Sequence, residues 1–371
     1  MKIGVVGCGA ISDIYLQNMT SRFPELEVAA CCAGHLSNAQ KKAEKYGLRA
    51  CTLDELLSDA AIELVVNLTP PQAHADIIRQ ALLAGKHVYT EKVLAVRARE
   101  AEELVDLAHK RGLYLGSAPD TFLGDALQTA RSALDAGLIG EVTGCHASLN
   151  RGMGHFYEFL AFTRQPGGGM GFDTGPYYLS ALLYLLGPVA EVSGMTATSR
   201  PERINRREGH PDFGKPYIVE NENVFTALLR FRSGILGTVN LNGDCVFPEQ
   251  PHFVIYGTKG ILFLPNPDEF GGEVRILHGA PCGSGIVNYE ILKGSGLFSG
   301  NSRGLGVAEM VHAINAGREN LASASMAAHA VEIAESVVRS GETGSVQSLR
   351  TTFERPALLG GYQEWMGTIP E

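Results

Sequence analysis

Apolar residues follow two rhythms along this chain, and the change comes near residue 119. Before it, short solid apolar runs alternate with segments whose apolar positions recur every three or four residues. Lys2–Val6, Val28–Cys32, Leu64–Leu68, His87–Thr90 and Leu113–Ser117 are solid runs, as expected of strands covered on both faces. Between them Ile14, Tyr15 and Met19, then Ile77, Ile78, Ala81 and Leu82, then Ala101, Leu104, Val105 and Ala108 recur at helical spacing. Gly85 stands where a left-handed helix cap is wanted, and Thr52 with Glu55 fits a capping box. Strand, helix, strand in this order predicts parallel pairing through right-handed crossovers, so the strands deliver their carboxyl ends to one edge.

Beyond Ala118-Pro119 the texture changes. The pattern predicts a helix over Phe122–Ala136, a strand over Val142–Leu149, and a loop carrying His155, Tyr157 and the Pro166–Gly169 run. A helix over Tyr177–Leu186 follows, stopped by Gly187-Pro188. The runs VAEVSGMTAT, NVFTALLRF, ILGTVNL, HFVIYG and ILFLP then alternate with turns such as Arg232-Ser233-Gly234, the signature of an antiparallel sheet. Gly304–Val338 returns to helix, and the polar stretch Ser199–Tyr217 suits a mobile loop over a site.

The first strand runs into Gly7-Cys8-Gly9-Ala10-Ile11-Ser12. A strand, a Gly-rich turn and a helix form a dinucleotide fingerprint: two glycines allow the tight turn and close backbone approach, and the helix start offers amides to a pyrophosphate. Ser12 replaces the third glycine and is small enough to keep helix and sheet close. At the end of the second strand an acid would grip the ribose of NAD, but the chain reads Ala33-Gly34-His35. NAD and NADP both stay open, with His35, Lys41 and Lys42 as groups for a 2'-phosphate or as ordinary surface residues. The expected architecture is therefore α/β: a Rossmann-type doubly wound parallel sheet over residues 1–119, then an α+β domain over 120–371 with a large, mostly antiparallel sheet.

Lys92 follows the His87–Thr90 strand, at the edge where ligands of open α/β sheets bind. Standing alone it reads first as a solvated loop lysine, as His74 alone reads as a helix-surface histidine.

At 371 residues and 45% hydrophobic content the chain can bury two cores. Charged residues are 19% and the net charge is -9, which argues against nucleic acid and against an anionic membrane surface. Met1-Lys2 leads directly into a strand, no run reaches membrane-spanning length, and a cytoplasmic protein is expected. Seven cysteines without any CxxC pair suggest reduced, mostly buried thiols, and no ligand spacing points to a metal.

With these pieces named, the chain resembles the Gfo/Idh/MocA oxidoreductases, the group of glucose-fructose oxidoreductase and inositol dehydrogenase. The carriers are the Gly7-Cys8-Gly9-Ala10 turn, Thr69-Pro70 with His74, the AGKHVYTEK run ending at Lys92, the GGG-x3-D-x-G segment reaching Asp173, and the late GTKG turn. Val93 stands where the family usually has proline, and Tyr177 where many members carry histidine. The resemblance implies NAD or NADP as cofactor, with NAD the commoner in the family, and a homodimer or homotetramer. It implies a Lys92–Asp173 pair with the Tyr177 hydroxyl, while Gly7, Gly9, Ala10, Ile11, Ser12, Ala33, His35, Thr69, Pro70, His74 and Glu91 line the cofactor.

Oxidising a secondary alcohol requires a group that takes the hydroxyl proton while hydride leaves the carbon. A tyrosine titrates near ~10 and becomes a base only beside an ammonium, whereas a lysine is usable once desolvation and a cationic nicotinamide lower its pKa. Asp173 and Tyr177 lie one helical turn apart if the helix starts near Thr174. Asp173 would then orient the substrate or Lys92, or merely cap the helix, and Tyr177 would act in the site or be an interior tyrosine. Arg151, His155 and Tyr157 are candidates for substrate hydroxyls; His312 and His329 read as structural. The expected function is hydride transfer between a sugar, glycoside or cyclitol and a nicotinamide. The alternatives are a retained-NAD enzyme that oxidises a sugar carbon transiently to drive elimination, and a dinucleotide-binding regulator without turnover.

Overall fold

The computed structural model describes residues 1–246, 249–279 and 289–360. They fall into two compact units, one comprising Met1–Leu123, Asn301–Ala328 and the chain from Pro356, the other Gly124–Gly300 and His329–Arg355. Cys282 lies outside the described residues.

The first unit is built on strands β1 (Lys2–Val6), β2 (Glu27–Cys32), β3 (Arg49–Ala50), β4 (Leu64–Asn67), β5 (His87–Thr90) and β6 (Leu115–Ser117). They pair in the order β3-β2-β1-β4-β5-β6, all parallel. Every residue of β4 is buried, as a strand covered on both faces demands. The covering helices include α1 (Ser12–Ser21), α2 (Leu36–Tyr46), α3 (Leu53–Ser58), α4 (Pro71–Leu83) and α5 (Ala98–Arg111). The capping box expected at α3 is present, with the Glu55 amide donating to Thr52 Oγ1 and the Thr52 amide to Glu55 Oε2. The helix Leu305–Ala316 also belongs here. Its first turn is capped from a distance: Asp120 Oδ2 accepts from the amides of Gly304 at 3.1 Å and Gly306 at 2.9 Å. Burial pushes the Asp120 carboxyl up to about 6.

The strand order reverses between β1 and its two neighbours, β2 on one side and β4 on the other. That switch point opens a crevice at the carboxyl edge of the sheet. In register, Val6 faces both Cys32 and Asn67, and Asn67 faces Thr90, so the turns after β1, β4 and β5 begin at one level.

The predicted helix over Phe122–Ala136 becomes a 3-10 turn over Thr121–Leu123, still in the first unit, and α6 (Asp125–Asp135), which opens the second. The break falls at Gly124, where a Cβ would meet the Phe270 carbonyl at 2.3 Å. Strand β7 (Val142–Asn150) leads into helices α7 (Gly154–Phe159), α8 (Met170–Asp173) and α9 (Gly175–Leu186). Then come β8 (Val189–Ala197), β9 (Glu202–Ile204), β10 (Pro216–Ile218), β11 (Val224–Phe231), β12 (Leu236–Asn242), β13 (Gln250–Gly257), β14 (Gly260–Leu264), β15 (Val274–His278), β16 (Tyr289–Leu292) and β17 (Gln347–Ser348). Among the described residues one sheet runs β16-β15-β14-β13-β7-β12-β11-β8-β17, antiparallel except where β7 and β12 pair in parallel. Along β11, Phe225, Ala227, Leu229 and Phe231 turn inward while Thr226, Leu228 and Arg230 face out. The expected mobile loop over Ser199–Tyr217 is instead a small antiparallel ribbon of β9 and β10, pinned where Arg200 and Arg203 reach Asp244 at 2.7 and 2.9 Å.

Candidate active site

The cofactor candidates gather at the carboxyl edge of the first unit. Gly7 has φ +104°, and a Cβ there would stand 2.5 Å from the Leu68 backbone, so the turn's own geometry requires glycine. Gly9 is different. A Cβ on it would meet no described protein atom within 4 Å, so the protein's packing does not account for it. An exposed glycine in this turn is what close approach of a pyrophosphate asks for, and on this count the residues present fit a dinucleotide. Ser12 is buried and its Oγ donates to the Gly9 carbonyl at 2.7 Å, tying off the turn that a third glycine would otherwise only leave room for. Ala10 is exposed and Ile11 half-buried at the start of α1. Ala33 and His35 follow β2, with His35 ahead of α2. Lys42 is engaged with Asp13 at 2.6 Å, and Lys45 with the same carboxylate at 2.9 Å.

Thr69, Pro70 and His74 form one unit at the head of α4. His74 is fully buried, and its Nδ1 and Nε2 lie 2.6 Å from the Val93 carbonyl and 2.7 Å from the Thr69 carbonyl. Burial pushes its imidazole below the ordinary value, and the two carbonyls oppose that shift. Asn67, which the sequence reading passed over, holds the same corner: Oδ1 accepts from the Thr69 hydroxyl at 2.7 Å, and Nδ2 points to the His74 carbonyl. Its signal was a polar residue closing an otherwise apolar strand.

Glu91 is buried and faces inward. One oxygen accepts from the Tyr15 hydroxyl and the other from the Lys92 amide, both at 2.9 Å, while the Glu91 amide donates to Asn67 O at 2.8 Å. Glu91 thus positions the loop that carries Lys92, which is half-buried. Tyr15, on α1, is a second supporting residue that only the folded chain brings into view.

Asp173 and Tyr177 lie in the second unit. From Gly168 to Gly187 they are the two residues that are not buried. Helix α9 reads GPYYLSALLYLL, apolar nearly all round, and is accordingly buried at every position but Tyr177. Asp173 does not cap it: it ends α8, and Thr174 occupies the cap position. The glycine run before α8 serves packing, since a Cβ on Gly169 would stand 2.3 Å from the Glu222 carboxylate and one on Gly168 would stand 2.2 Å from the Phe162 carbonyl. Glu222 fixes α8 from below, accepting from the Gly171 amide at 3.1 Å.

The expected loop around His155 and Tyr157 is helical in α7, followed by a 3-10 turn over Ala161–Arg164. Its backbone is short, and tertiary contacts secure it: the Met153 amide donates to the Gly243 carbonyl, and Arg206 N donates to Glu158. His155 is exposed on this helix. Arg151 lies over the Phe156 ring at 5.0 Å and pairs with Glu249 at 2.8 Å, and its buried Nε meets no hydrogen-bond partner among the described residues. Tyr157 is buried beneath Arg203, whose guanidinium sits 5.0 Å over its ring. Burial raises its phenol well above the ordinary range, and Asp244, Asp173 and Glu222 add to the rise against Arg203. No group of His, Cys, Asp and Glu suited to a metal occurs among the described residues. No described helix is long and apolar enough to cross a membrane.

A six-stranded parallel sheet with a Gly-rich turn at its switch point, followed by a unit built on a large mixed sheet, defines an α/β architecture of the dinucleotide-binding kind. Family models match both parts: an oxidoreductase family with an NAD-binding Rossmann fold over residues 1–118, and a GFO/IDH/MocA C-terminal domain over 127–263. An uncharacterized oxidoreductase of Schizosaccharomyces pombe is 30% identical over 276 residues, covering 70% of this chain and 69% of that protein. The chain belongs to the GFO/IDH/MocA oxidoreductase family. It is also similar to a dTDP-3,4-didehydro-2,6-dideoxy-alpha-D-glucose 3-reductase of Streptomyces violaceoruber, 29% identical, with 82% of this chain and 89% of that protein covered. Among solved structures, levoglucosan dehydrogenase in complex with NADH and L-sorbose shares the fold at TM-score 0.83 and 18% identity, covering 95% and 99% of the two chains.

Proposed function

We propose that this protein is an NAD(P)-dependent dehydrogenase acting between a secondary alcohol and a ketone on a sugar, glycoside or cyclitol ring. The observation that carries the reading is the placement of Lys92 directly after β5, at the edge holding the Gly7–Ser12 turn, with its loop anchored by Glu91 and His74. Asp173 and Tyr177, the open pair of a buried stretch, support it. The similarity to a reductase named for a didehydro-dideoxy-glucose favours a sugar-like ring.

Bound at the first unit, the nicotinamide ring supplies the hydride acceptor or donor. Lys92 takes or returns the hydroxyl proton. Asp173 and Tyr177 hold the substrate oxygen, and Arg151 and His155 take neighbouring hydroxyls. Arg151 suits a neutral oxygen better than a carboxylate, because Glu249 already balances its charge. We place the protein in the cytoplasm, and we assign it a self-association surface on the outer face of the large sheet.

Nicotinamide absorbance, followed with NAD or NADP and a panel of sugars, glycosides and inositols, tests the reading. Turnover by the wild type that disappears in Lys92→Ala, with dinucleotide binding retained, supports it. Tight dinucleotide binding without turnover on any ring alcohol or its ketone sinks it.

A further inference from the structure

Helix α1 turns a polar row inward. Tyr15 and Asn18, with Arg22 just past the helix end, recur at i, i+3 and i+7 and so share one face. Asn18 Nδ2 donates to the carbonyls of Asn301 at 3.0 Å and Arg303 at 2.8 Å, and Arg22 reaches the Ser302 hydroxyl at 3.1 Å. These contacts fasten α1 to the segment ahead of the Leu305–Ala316 helix. Tyr15 has a different partner: its hydroxyl, in a fully buried side chain, donates to Glu91 at 2.9 Å, 76 residues away in sequence. A phenylalanine would fill the same space, so the hydroxyl serves the carboxylate rather than the packing. Burial, then the charges of Glu91 and Asp120, push the Tyr15 phenol well above its ordinary range, which keeps it a donor.

Glu91 divides its two oxygens between that hydroxyl and the Lys92 amide, again at 2.9 Å. A buried carboxylate needs such donors, and these two lead in line from α1 to Lys92. The same helix begins at Ser12, whose Oγ closes the Gly7–Ser12 turn on the Gly9 carbonyl at 2.7 Å. Tyr15 stands three residues further, about 4.5 Å along the axis. One rigid element therefore carries both the turn that would receive a pyrophosphate and the hydroxyl that holds the lysine loop.

We propose that Tyr15 is a positioning residue for Lys92: acting through Glu91, it sets the lysine loop at a fixed distance from the dinucleotide turn. This inference rests on the reading of Lys92 as the group that takes or returns the hydroxyl proton. Two residues share the hold on the loop, His74 at the Val93 carbonyl and Glu91 at the Lys92 amide. Removing the Tyr15 hydroxyl leaves the His74 hold in place. The lysine is then misplaced more than the cofactor site is damaged, and kcat falls further than dinucleotide affinity.

The experiment compares full-length wild type with Tyr15→Phe, Glu91→Gln and the double variant in three readouts: turnover of the ring alcohol, NADH fluorescence, and hydrogen exchange of the peptide containing Glu91–Leu94. Tyr15→Phe should lower kcat by about tenfold to a hundredfold, while NADH affinity falls by no more than about threefold. Exchange of the peptide should quicken about fivefold. The double variant should lose little beyond the worse single one, because the two residues act through each other. Tyr46→Phe is the control: its hydroxyl also meets α1, at Asp13 at 2.9 Å rather than at Glu91, and its loss should leave all three readouts unchanged. The proposal is overturned if Tyr15→Phe keeps its kcat, if kcat and affinity fall together by the same factor, if exchange does not quicken, or if the losses multiply in the double variant. Should Tyr15→Phe fail to fold, Glu91→Gln cuts the same link from the other end and is held to the same kcat, affinity and exchange criteria. Wild type that turns over no ring alcohol refutes the proposed reaction and the part of Tyr15 in it, whereas unchanged exchange beside normal wild-type turnover refutes the link and leaves the reaction standing.

Discussion

The imidazole of His74 reaches the backbone of Val93, with Nδ1 2.6 Å from its carbonyl oxygen, while Nε2 lies 2.7 Å from the carbonyl of Thr69. One buried ring thus fastens the turn after β4 to the turn after β5, the two loops that flank the proposed nicotinamide position. A neutral imidazole carries a single N–H and can donate to only one of the two carbonyls.

His74→Ala removes both contacts and leaves a buried carbonyl without its donor. A loss of about 2–4 kcal/mol is expected from the unpaired group and the cavity. Urea unfolding reads it, and NADH affinity should fall in parallel because the Lys92 loop loses its anchor. Unchanged stability would remove the anchoring role.

Asp173 and Tyr177 are predicted to separate activity from stability. Tyr177→Phe and Asp173→Asn should each lower kcat/KM for the ring alcohol by about tenfold to a thousandfold, in the range of lost acid–base or positioning groups. Their melting temperatures should stay close to wild type, since both positions are partly open. Tyr178 is the control: it is buried, with its hydroxyl donating to Asn266 at 3.2 Å, so Tyr178→Phe should cost about 1 kcal/mol and spare activity. The reverse pattern would place the functional tyrosine elsewhere.

Asp120 predicts a pH dependence of folding. Its carboxyl titrates near 3.8 unfolded and at about 6 folded, so between these values the folded chain holds a proton that the unfolded chain has released. Stability from this group is therefore full below the unfolded value and is lost as pH rises through the folded one. Asp120→Asn removes the ionisation and keeps an acceptor for the Gly304 and Gly306 amides. Relative to the variant, the wild type should lose about 2–3 kcal/mol between pH 4 and pH 7 in denaturant titrations. A constant difference across that window contradicts the assignment.

The outer face of the large sheet predicts self-association. Leu228, Leu236 and Met195 are 58%, 55% and 75% exposed, and a cavity of about 500 Å³ lies over Leu228, Leu236, Tyr256 and Val346. Apolar patches of this kind mark interfaces. Leu228→Arg with Leu236→Arg should shift the sedimentation coefficient from that of an oligomer to that of a monomer. Wild-type protein that sediments as a monomer at micromolar concentration would dismiss the interface.

Much of this molecule was legible before folding. The Rossmann strands stood out because a strand covered on both faces must be apolar throughout, and β4 is buried at every residue. The Gly7–Ser12 turn and the Lys92 position followed from chain order, since parallel strands joined by right-handed crossovers send their carboxyl ends to one edge. Tyr15, Glu222 and Asp244 were not legible, because each acts through a partner distant in sequence that no periodicity encodes. The parallel pairing of β7 with β12, the return of residues 301–328 to the first unit, and the helix at His155 were likewise decided by tertiary structure. Local sequence sets which faces must be buried, whereas long-range packing chooses what buries them, and only that choice turns a polar residue into part of a site.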